Sequence, residues 1–191
     1  MMNGTTPSVE QLERELKYEK RRGNYGKALR STIYSLLVVA AVAILIAMLV
    51  MPILQISGSS MTPVIGDGEI AAILKGNDFE RGDIIAFYYN NKILVKRVIA
   101  FSGEWVNIDS SGNVYVNNKR LDEPYVSEKA MGDCSIDLPY QVPDGKLFVM
   151  GDHRSTSADS RSAIIGPVSD EQVMGRVLFR IWPLNKIGFI N

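Results

Sequence analysis

A short polar turn follows the longest apolar run of the chain and carries a hydroxyl that could act as a nucleophile. The turn is Gly58-Ser59-Ser60-Met61-Thr62-Pro63, a few residues after Ser31–Met51, and Pro63 restricts its backbone. A serine hydroxyl held on a fixed turn suits nucleophilic catalysis when a base lies beside it. Small polar loops also follow apolar segments without any function, so the residues further along the chain must decide.

Lys96 lies in an apolar strand and could supply that base. Alternation over Ile93–Ile99 puts Leu94, Lys96 and Val98 on one face and Arg97 on the other. Burial disfavours the ammonium, so the pKa of Lys96 should fall from about 10.4 toward neutrality. A neutral amine can take the proton of a serine hydroxyl. The alternative is a lysine that reaches water along its aliphatic stem.

The third group of polar residues runs from Gly151 to Arg161, directly after the apolar strand Leu147–Met150. Its short side chains could orient a catalytic lysine, and an Asp159–Arg161 pair could hold the loop rigid. The same composition also fits a surface turn whose side chains bond its own backbone.

The chain has one histidine and one cysteine, and neither is expected to act in catalysis. His153 could complete a triad with Ser60 and Asp152, but side chains of sequence neighbours such as Asp152 and His153 diverge, which favours a loop residue. Cys134 can form no internal disulfide and has no histidine motif nearby, which favours an unreactive thiol. We expect no metal and no cofactor, because neither ligand spacing nor a nucleotide-binding motif is present.

The uncharged run Ser31–Met51 predicts a membrane anchor. Its 21 residues would span about 31 Å as a helix, which matches the hydrocarbon core of a bilayer. A cleaved signal peptide is the alternative, but its apolar region would be shorter, about 7–15 residues. Basic residues precede the run, which predicts a cell-membrane protein with one span, its N-terminus cytoplasmic and its C-terminal part outside.

This pattern divides the chain into three parts. Residues 1–30 form a charged, helical cytoplasmic segment, with seven basic and four acidic residues and a capping box from Ser8 to Gln11 that starts a helix over residues 8–30. Residues 31–52 form the anchor helix, and residues 53–191 form the extracytoplasmic domain. We read no binding site into the first part, and the domain has no basic stripe that would indicate nucleic-acid binding.

The extracytoplasmic part is predicted to be mainly β. Short apolar runs alternate with Gly, Asn, Asp and Pro, and Asp109–Asn113 has the composition of a hairpin turn. We expect an antiparallel β-sandwich or barrel-like catalytic domain after one transmembrane helix. The predicted strands are Glu69–Leu74, Asp83–Tyr89, Lys92–Phe101, Trp105–Ile108, Val114–Val116, Leu147–Met150 and Val173–Trp182.

Five stretches, taken in order after an anchor, resemble the bacterial type I signal peptidases, which are membrane-anchored serine proteases with a Ser–Lys dyad. The likeness runs from the anchor to the C-terminus. The matching stretches are Ser60-Met61-Thr62-Pro63, Arg81-Gly82-Asp83, Lys96-Arg97-Val98-Ile99, the box from Gly151 to Arg161, and Phe179–Phe189.

The resemblance implies a role for five residues. Ser60 would be the nucleophile, and its backbone N–H would supply one oxyanion donor. Lys96 would be the general base and later the acid that protonates the leaving amine. Ser157 would hydrogen-bond Lys96 and orient it, and Asp159 and Arg161 would form a supporting salt bridge.

Four positions depart from the family pattern. The chain has Val64 where Thr is usual, His153 where Asn is usual, and Phe101–Glu104 in place of Leu-Pro-Gly-Asp. Some members carry a serine two residues before the nucleophile, and Gly58 stands there, so a second oxyanion donor would be a backbone N–H or would be missing. None of these changes removes an atom of the expected dyad.

The resemblance implies cleavage of signal peptides from secreted preproteins at the outer face of the membrane, with the substrate segment bound as an added strand. Signal peptides and the lipid bilayer are then the partners, with no nucleic acid and no obligate protein partner. Self-cleaving repressors of the SOS type share the dyad, but they are soluble and carry a DNA-binding module. A non-enzymatic, membrane-anchored β domain for extracellular binding or assembly would explain the anchor and the strands but not Lys96.

Overall fold

The computed structural model describes residues 8–190, with the side chains of residues 19–25, 48 and 50 left out. The expected loose start at residues 1–7 lies outside this range. The chain divides into two compact units, a helical one that ends at Ala47 and a β-rich one that begins at Met48.

A single helix, α1, runs from Val9 to Val50 and includes both the charged segment and the apolar run. Ser8 begins it with the predicted capping box: the Gln11 N–H donates to Ser8 Oγ at 3.4 Å, and the Ser8 N–H donates to Gln11 Oε1 at 3.1 Å. Gly26–Ala47 has a mean hydropathy of 2.1, and none of this stretch is buried. By length and composition, therefore, this stretch could cross a membrane.

The β-rich unit is antiparallel throughout its described pairings, which confirms the predicted fold class. The strands are β1 (Ile53–Gln55), β2 (Ile70–Lys75), β3 (Ile84–Tyr89), β4 (Lys92–Ala100), β5 (Trp105–Ile108), β6 (Val114–Val116), β7 (Lys119–Arg120), β8 (Tyr140–Gln141), β9 (Lys146–Met150), β10 (Val168–Ser169), β11 (Val173–Trp182) and β12 (Gly188–Phe189). Two single turns of 3₁₀ helix, Asp170–Gln172 and Leu184–Lys186, flank β11.

The strands form two sheets. The large sheet has the order β1-β2-β11-β3-β4-β9-β10, with β12 beside β11, and the small sheet has the order β7-β6-β5-β8. Strand β4 pairs with β3 from Lys92 to Arg97 and with β9 only from Arg97 onward. The first half of β4 therefore has one edge without a strand partner among the described residues.

Three apolar clusters hold this unit together, and they fix the direction of the side chains on β4. Leu94 and Val98 contact the same cluster, together with Ile85, which is the register partner of Lys96. Val95 contacts a second cluster, and Ile99 contacts a third, which is built on the small sheet. The predicted alternation along β4 is thus confirmed, and Lys96 shares its face with apolar side chains.

Candidate active site

The turn that carries Ser60 is held by backbone contacts on both sides. The Thr62 hydroxyl and N–H donate to the Ser59 carbonyl at 2.8 and 3.1 Å, and the Ile65 N–H donates to Met61. From the opposite side, the N–H of His153 donates to the Ser60 carbonyl at 3.1 Å. These bonds, with Met61 fully buried, fix the backbone that carries the Ser60 hydroxyl.

Lys96 meets Ser60 from β4. Lys96 Nζ lies 2.7 Å from Ser60 Oγ, although the two residues are 36 positions apart in sequence. Lys96 is 4% exposed. Burial lowers the pKa of the Lys96 ammonium; the nearby Asp159 raises it, Arg161 lowers it and Asp152 raises it, and the net shift is downward. An amine that loses its proton easily, at hydrogen-bond distance from a hydroxyl, can act as a general base.

Asp159 and Arg161 form a fully buried ion pair in the loop that follows β9. Arg161 Nε and Nη2 donate to the two carboxylate oxygens of Asp159, both at 2.8 Å. Asp159 Oδ2 also accepts the N–H of Gly151 at 2.9 Å. Burial raises the pKa of Asp159, but the ion pair with Arg161 and the hydrogen bond from the Gly151 N–H together lower it by more. The net shift of the pKa is downward, so the carboxylate stays ionised.

Gly151 brings the loop against the nucleophile. A Cβ atom added there would lie 2.2 Å from Ser157 Oγ and 2.5 Å from the Ser60 carbonyl oxygen, so only glycine fits. Ser157 is buried; its hydroxyl makes no hydrogen bond to Lys96, and it lowers the pKa of the Asp159 carboxyl. The structure therefore brings Ser157 to the site without the expected bond to Lys96.

Arg97, the next residue on β4, has a different set of partners. Its Nε and Nη2 donate to both carboxylate oxygens of Asp152 at 2.8 and 2.7 Å, and its Nη1 donates to the Gly82 carbonyl at 2.5 Å. The ring of Tyr125 covers the guanidinium at 3.9 Å. Because Asp152 is committed to Arg97, it does not orient His153 as a triad would require.

His153 and Cys134 both lie in loops, outside the helices and strands. His153 Nδ1 lies 3.1 Å from the Thr156 hydroxyl and 3.4 Å from that of Thr62. Cys134 is a half-buried free thiol whose Sγ lies 4.0 Å from the Ile136 carbonyl.

An open groove leads to the dyad. It has a volume of about 680 Å³ and ends at Ser60 and Lys96. One wall is formed by the end of β1 and the residues up to Met61, and the other by Asn91–Val95 on the unpaired edge of β4. Strand β1 is an edge strand of the large sheet among the described residues. Both walls therefore have backbone N–H and C=O groups without a strand partner, with which an extended peptide could pair.

The backbone N–H groups of the turn that carries Ser60 are the candidate donors to the oxyanion of a tetrahedral intermediate. The N–H of Gly58 is taken by Asp67 Oδ1 at 2.7 Å. No hydrogen bond is recorded for the N–H of Ser60 among residues 8–190, so this group is available to a ligand oxygen.

Five residues around the dyad were not given a supporting role from the sequence: the buried Arg97, Glu123, Asp152 and Arg154, and the half-buried Tyr125. Arg97 was noted as a charge on the face opposite Lys96, and Asp152 only as a possible triad member. Arg154 stood in the polar stretch from Gly151 to Arg161 without a role of its own. The ion pair of Glu123 and Arg154 joins residues 31 positions apart, and no sequence periodicity announces such a contact.

Comparison of the sequence with known proteins shows the family of this chain. The family model described as signal peptidase, peptidase S26, matches residues 29–182. Signal peptidase IB of Staphylococcus aureus is 32% identical over 183 residues, covering 85% of this chain and 94% of the relative. Signal peptidase I of Bacillus licheniformis is 32% identical over 185 residues, covering 88% and 97%. A crystal structure of a signal peptidase I from Enterococcus faecalis is 29% identical, covers 53% of this chain and 97% of its own, and has a TM-score of 0.43.

Proposed function

This chain belongs to the signal peptidase family, peptidase S26, and we propose that it removes signal peptides from secreted preproteins with a Ser60–Lys96 dyad at the outer face of the membrane. Membership of this peptidase family argues against the alternative of a non-enzymatic binding domain. The observation that carries the dyad is the 2.7 Å contact between Lys96 Nζ and Ser60 Oγ, with Lys96 buried.

In the first half of the reaction, Ser60 Oγ attacks the carbonyl carbon of the scissile bond while Lys96 Nζ takes the hydroxyl proton. The tetrahedral oxyanion accepts the Ser60 backbone N–H. Lys96 then gives its proton to the leaving amine, the peptide bond breaks, and the signal peptide remains attached to Ser60 as an ester.

In the second half, Lys96 takes a proton from water, and the hydroxide attacks the ester carbonyl. Collapse of this second intermediate breaks the ester bond, and the proton returns from Lys96 to Ser60 Oγ. Each half thus uses the amine once as a base and once as an acid, which needs a lysine pKa near the working pH.

Ser157, Asp159 and Arg161 support the base. The Asp159–Arg161 pair fixes the loop that touches Ser60, and Asp159 sets part of the charge around Lys96. Ser157 lies against Gly151 beside the Ser60 carbonyl, and its hydroxyl helps to lower the pKa of the Asp159 carboxyl.

The groove would receive the substrate. A signal peptide in extended form would pair with the free edges of β1 and β4, which would bring its scissile bond to Ser60. The helix over Gly26–Ala47 would hold the enzyme at the membrane surface, where the cleavage site emerges. Basic residues before this helix favour a cytoplasmic N-terminus and an extracytoplasmic β domain.

The test is cleavage of a purified preprotein by the full-length chain in detergent micelles. Wild type should cut after the small residue that ends the signal peptide. Ser60→Ala and Lys96→Ala should each reduce the rate by about 10³-fold or more, because either change removes one half of the dyad.

Two surface variants serve as matched controls. Ser59→Ala changes the exposed neighbour of the nucleophile, and Lys75→Ala changes an exposed lysine at the end of β2. Both should cleave as wild type does. Full activity in Lys96→Ala would exclude the dyad, and an uncut preprotein with wild type would exclude signal-peptide cleavage.

A further inference from the structure

One loop of the small sheet, on the connection from β7 to β8, contacts all three buried arginines around the dyad. This strap, residues 121–132, leaves the small sheet after β7. Glu123 pairs with Arg154 inside the protein, and both side chains are fully buried. Tyr125 covers Arg97, and the carbonyl of Met131 accepts Arg161 Nη1 at 2.7 Å.

Both ends of the strap are fixed to the small sheet. Leu121 and Met131 pack against its apolar cluster. Lys129 donates to Asn113 Oδ1 at 3.0 Å, next to the β5–β6 turn. A Cβ atom added to Gly132 would lie 2.4 Å from the Arg154 carbonyl, so the strap presses directly on the catalytic loop.

The arginines carry this contact to the reacting groups. Arg154 Nε donates to the Gly151 carbonyl at 3.1 Å, and Gly151 touches the Ser60 carbonyl and Ser157. Arg97 and Arg161 are the partners of Asp152 and Asp159, the two carboxylates whose charges reach Lys96. The strap therefore contacts the arginine of each ion pair around the dyad, on the side that faces away from Ser60 and Lys96.

We propose that Glu123 and Tyr125 are positioning residues for catalysis, and that the strap fixes the catalytic loop and its charges against Ser60 and Lys96. The ion pair of Glu123 is the main element, because an unpaired buried Arg154 would leave the loop to reach water. Burial raises the pKa of Tyr125, so its hydroxyl stays a neutral donor to Glu123 Oε1, at 3.4 Å. This inference depends on the proposed dyad for its link to activity.

The first variant is Glu123→Gln, which keeps the size of the side chain and removes its charge. We expect kcat to fall by about 10- to 100-fold with KM changed less than about threefold, since small misplacements of reacting groups act on the chemical step. The acid limb of the pH–rate profile should also move to lower pH, because a buried positive charge is left without its partner. Glu128→Gln, an exposed acid of the same strap, is the matched control and should match wild type in all three respects.

A double variant separates positioning from folding. Glu123→Leu with Arg154→Met removes both charges and leaves an apolar pair, which should restore thermal stability to that of wild type or above. We expect kcat to stay at least about tenfold low, because nothing then holds the Gly151 carbonyl. A role in stability alone predicts that activity returns together with Tm, and that result would overturn the proposal.

Tyr125→Leu tests the second contact, with Tyr115→Leu on β6 as its control. Loss of the ring would expose the Arg97–Asp152 pair to water, so we expect kcat to fall by about 3- to 10-fold. The control should show no such fall.

A titration of Lys96 gives a readout that does not need cleavage. Lysine labelled with ¹³C at Cε reports the ammonium by NMR, and the signal of Lys96 is the one missing in Lys96→Arg. Glu123→Gln should lower the Lys96 midpoint, whereas Glu128→Gln should not. One outcome separates the two proposals. Suppose wild type cuts and Ser60→Ala does not, while Glu123→Gln equals Glu128→Gln in kcat and in the midpoint of the Lys96 titration. The strap proposal then fails and the dyad stands. If no form cuts, the Lys96 midpoint alone decides the strap proposal.

Discussion

Two neighbouring residues on β4 show opposite ways of burying a positive charge. Lys96 and Arg97 are 4% and 1% exposed and point to opposite faces of the strand. Arg97 meets a bidentate carboxylate, a backbone carbonyl and an aromatic ring, whereas the hydrogen-bond partner of Lys96 is a hydroxyl. Burial with a matched acceptor set keeps a cation charged, and burial beside a hydroxyl favours the neutral amine.

The choice of residue type on each face follows from this difference. A guanidinium has five donors in a fixed fork and does not lose its proton in proteins, so it suits the face with Asp152. An ammonium on a flexible stem gives up its proton when it is desolvated, so lysine suits the face with Ser60. One strand thus carries both a structural cation and a candidate catalytic base.

Lys96→Arg should give the largest effect, since it would make the two faces alike. An arginine cannot take the proton of Ser60, so cleavage should fall by about 10²- to 10⁴-fold at every pH tested. The measurement is single-turnover cleavage of a preprotein from mildly acidic to alkaline pH. Lys75→Arg controls for the substitution itself, and a Lys96→Arg enzyme with a normal rate would show that the charge difference between the faces is irrelevant to catalysis.

Ser60 and Lys96 were predicted as a dyad from local signals taken together with the resemblance to a family, and their side chains are in contact in the structure. Apolar alternation around Lys96 and a proline-stiffened turn at Ser60 are read within a few residues, and the strand bounds Trp105–Ile108, Val114–Val116 and Val173–Trp182 agree with the structure. The short strands β1, β7, β8, β10 and β12 were not predicted, because two or three residues carry no period; Val114–Val116 is as short as β1, but it directly follows the hairpin turn Asp109–Asn113.

The surroundings of the dyad depend on distant contacts and could not be predicted in the same way. Asp152 meets Arg97 only when β9 pairs with β4, and Glu123 meets Arg154 only when the loop after β7 of the small sheet packs against the loop after β9 of the large sheet. The resemblance to a family indicated Ser157 as the partner of Lys96, but a family motif carries no hydrogen-bond geometry, and the bond is not formed in the structure. The charged helical segment and the anchor helix were predicted as two parts, and they form one continuous helix across residues 30 and 31.

The second prediction compares the carboxylates on the two sides of the site. Asp159→Asn and Asp152→Asn should each lower the free energy of unfolding by about 3–5 kcal/mol, because each leaves a buried arginine unpaired. Their effects on Lys96 should differ, since Asp159 raises its pKa more than Asp152 does.

The measurement for this pair is the pH–rate profile beside a denaturant titration. The acid limb should move to lower pH in Asp159→Asn and should move less in Asp152→Asn, because removal of a carboxylate disfavours the nearby ammonium. Asp122→Asn, an exposed acid, should change neither quantity. Equal shifts of the limb in the two buried variants would show that Lys96 does not distinguish the faces of β4.

The smallest expected effect is on stability, and its sign separates the two cations. The folded-state pKa of Lys96 lies below its unfolded value of 10.5, so the unfolded state binds more protons between these two values, and stability rises with pH across that window. Below the window the cost is about 1.4 kcal/mol for each pKa unit of lowering.

Lys96→Met removes this cost and should raise Tm at neutral pH by about 2–4 °C for each kcal/mol, with the gain shrinking as the pH approaches 10.5. Arg97→Met should lower Tm instead, because it leaves the Asp152 carboxylate buried without its partner. Calorimetry of both variants across pH measures the difference, and a fall in Tm for both would mean that Lys96 is buried as a paired cation and is not available as a base.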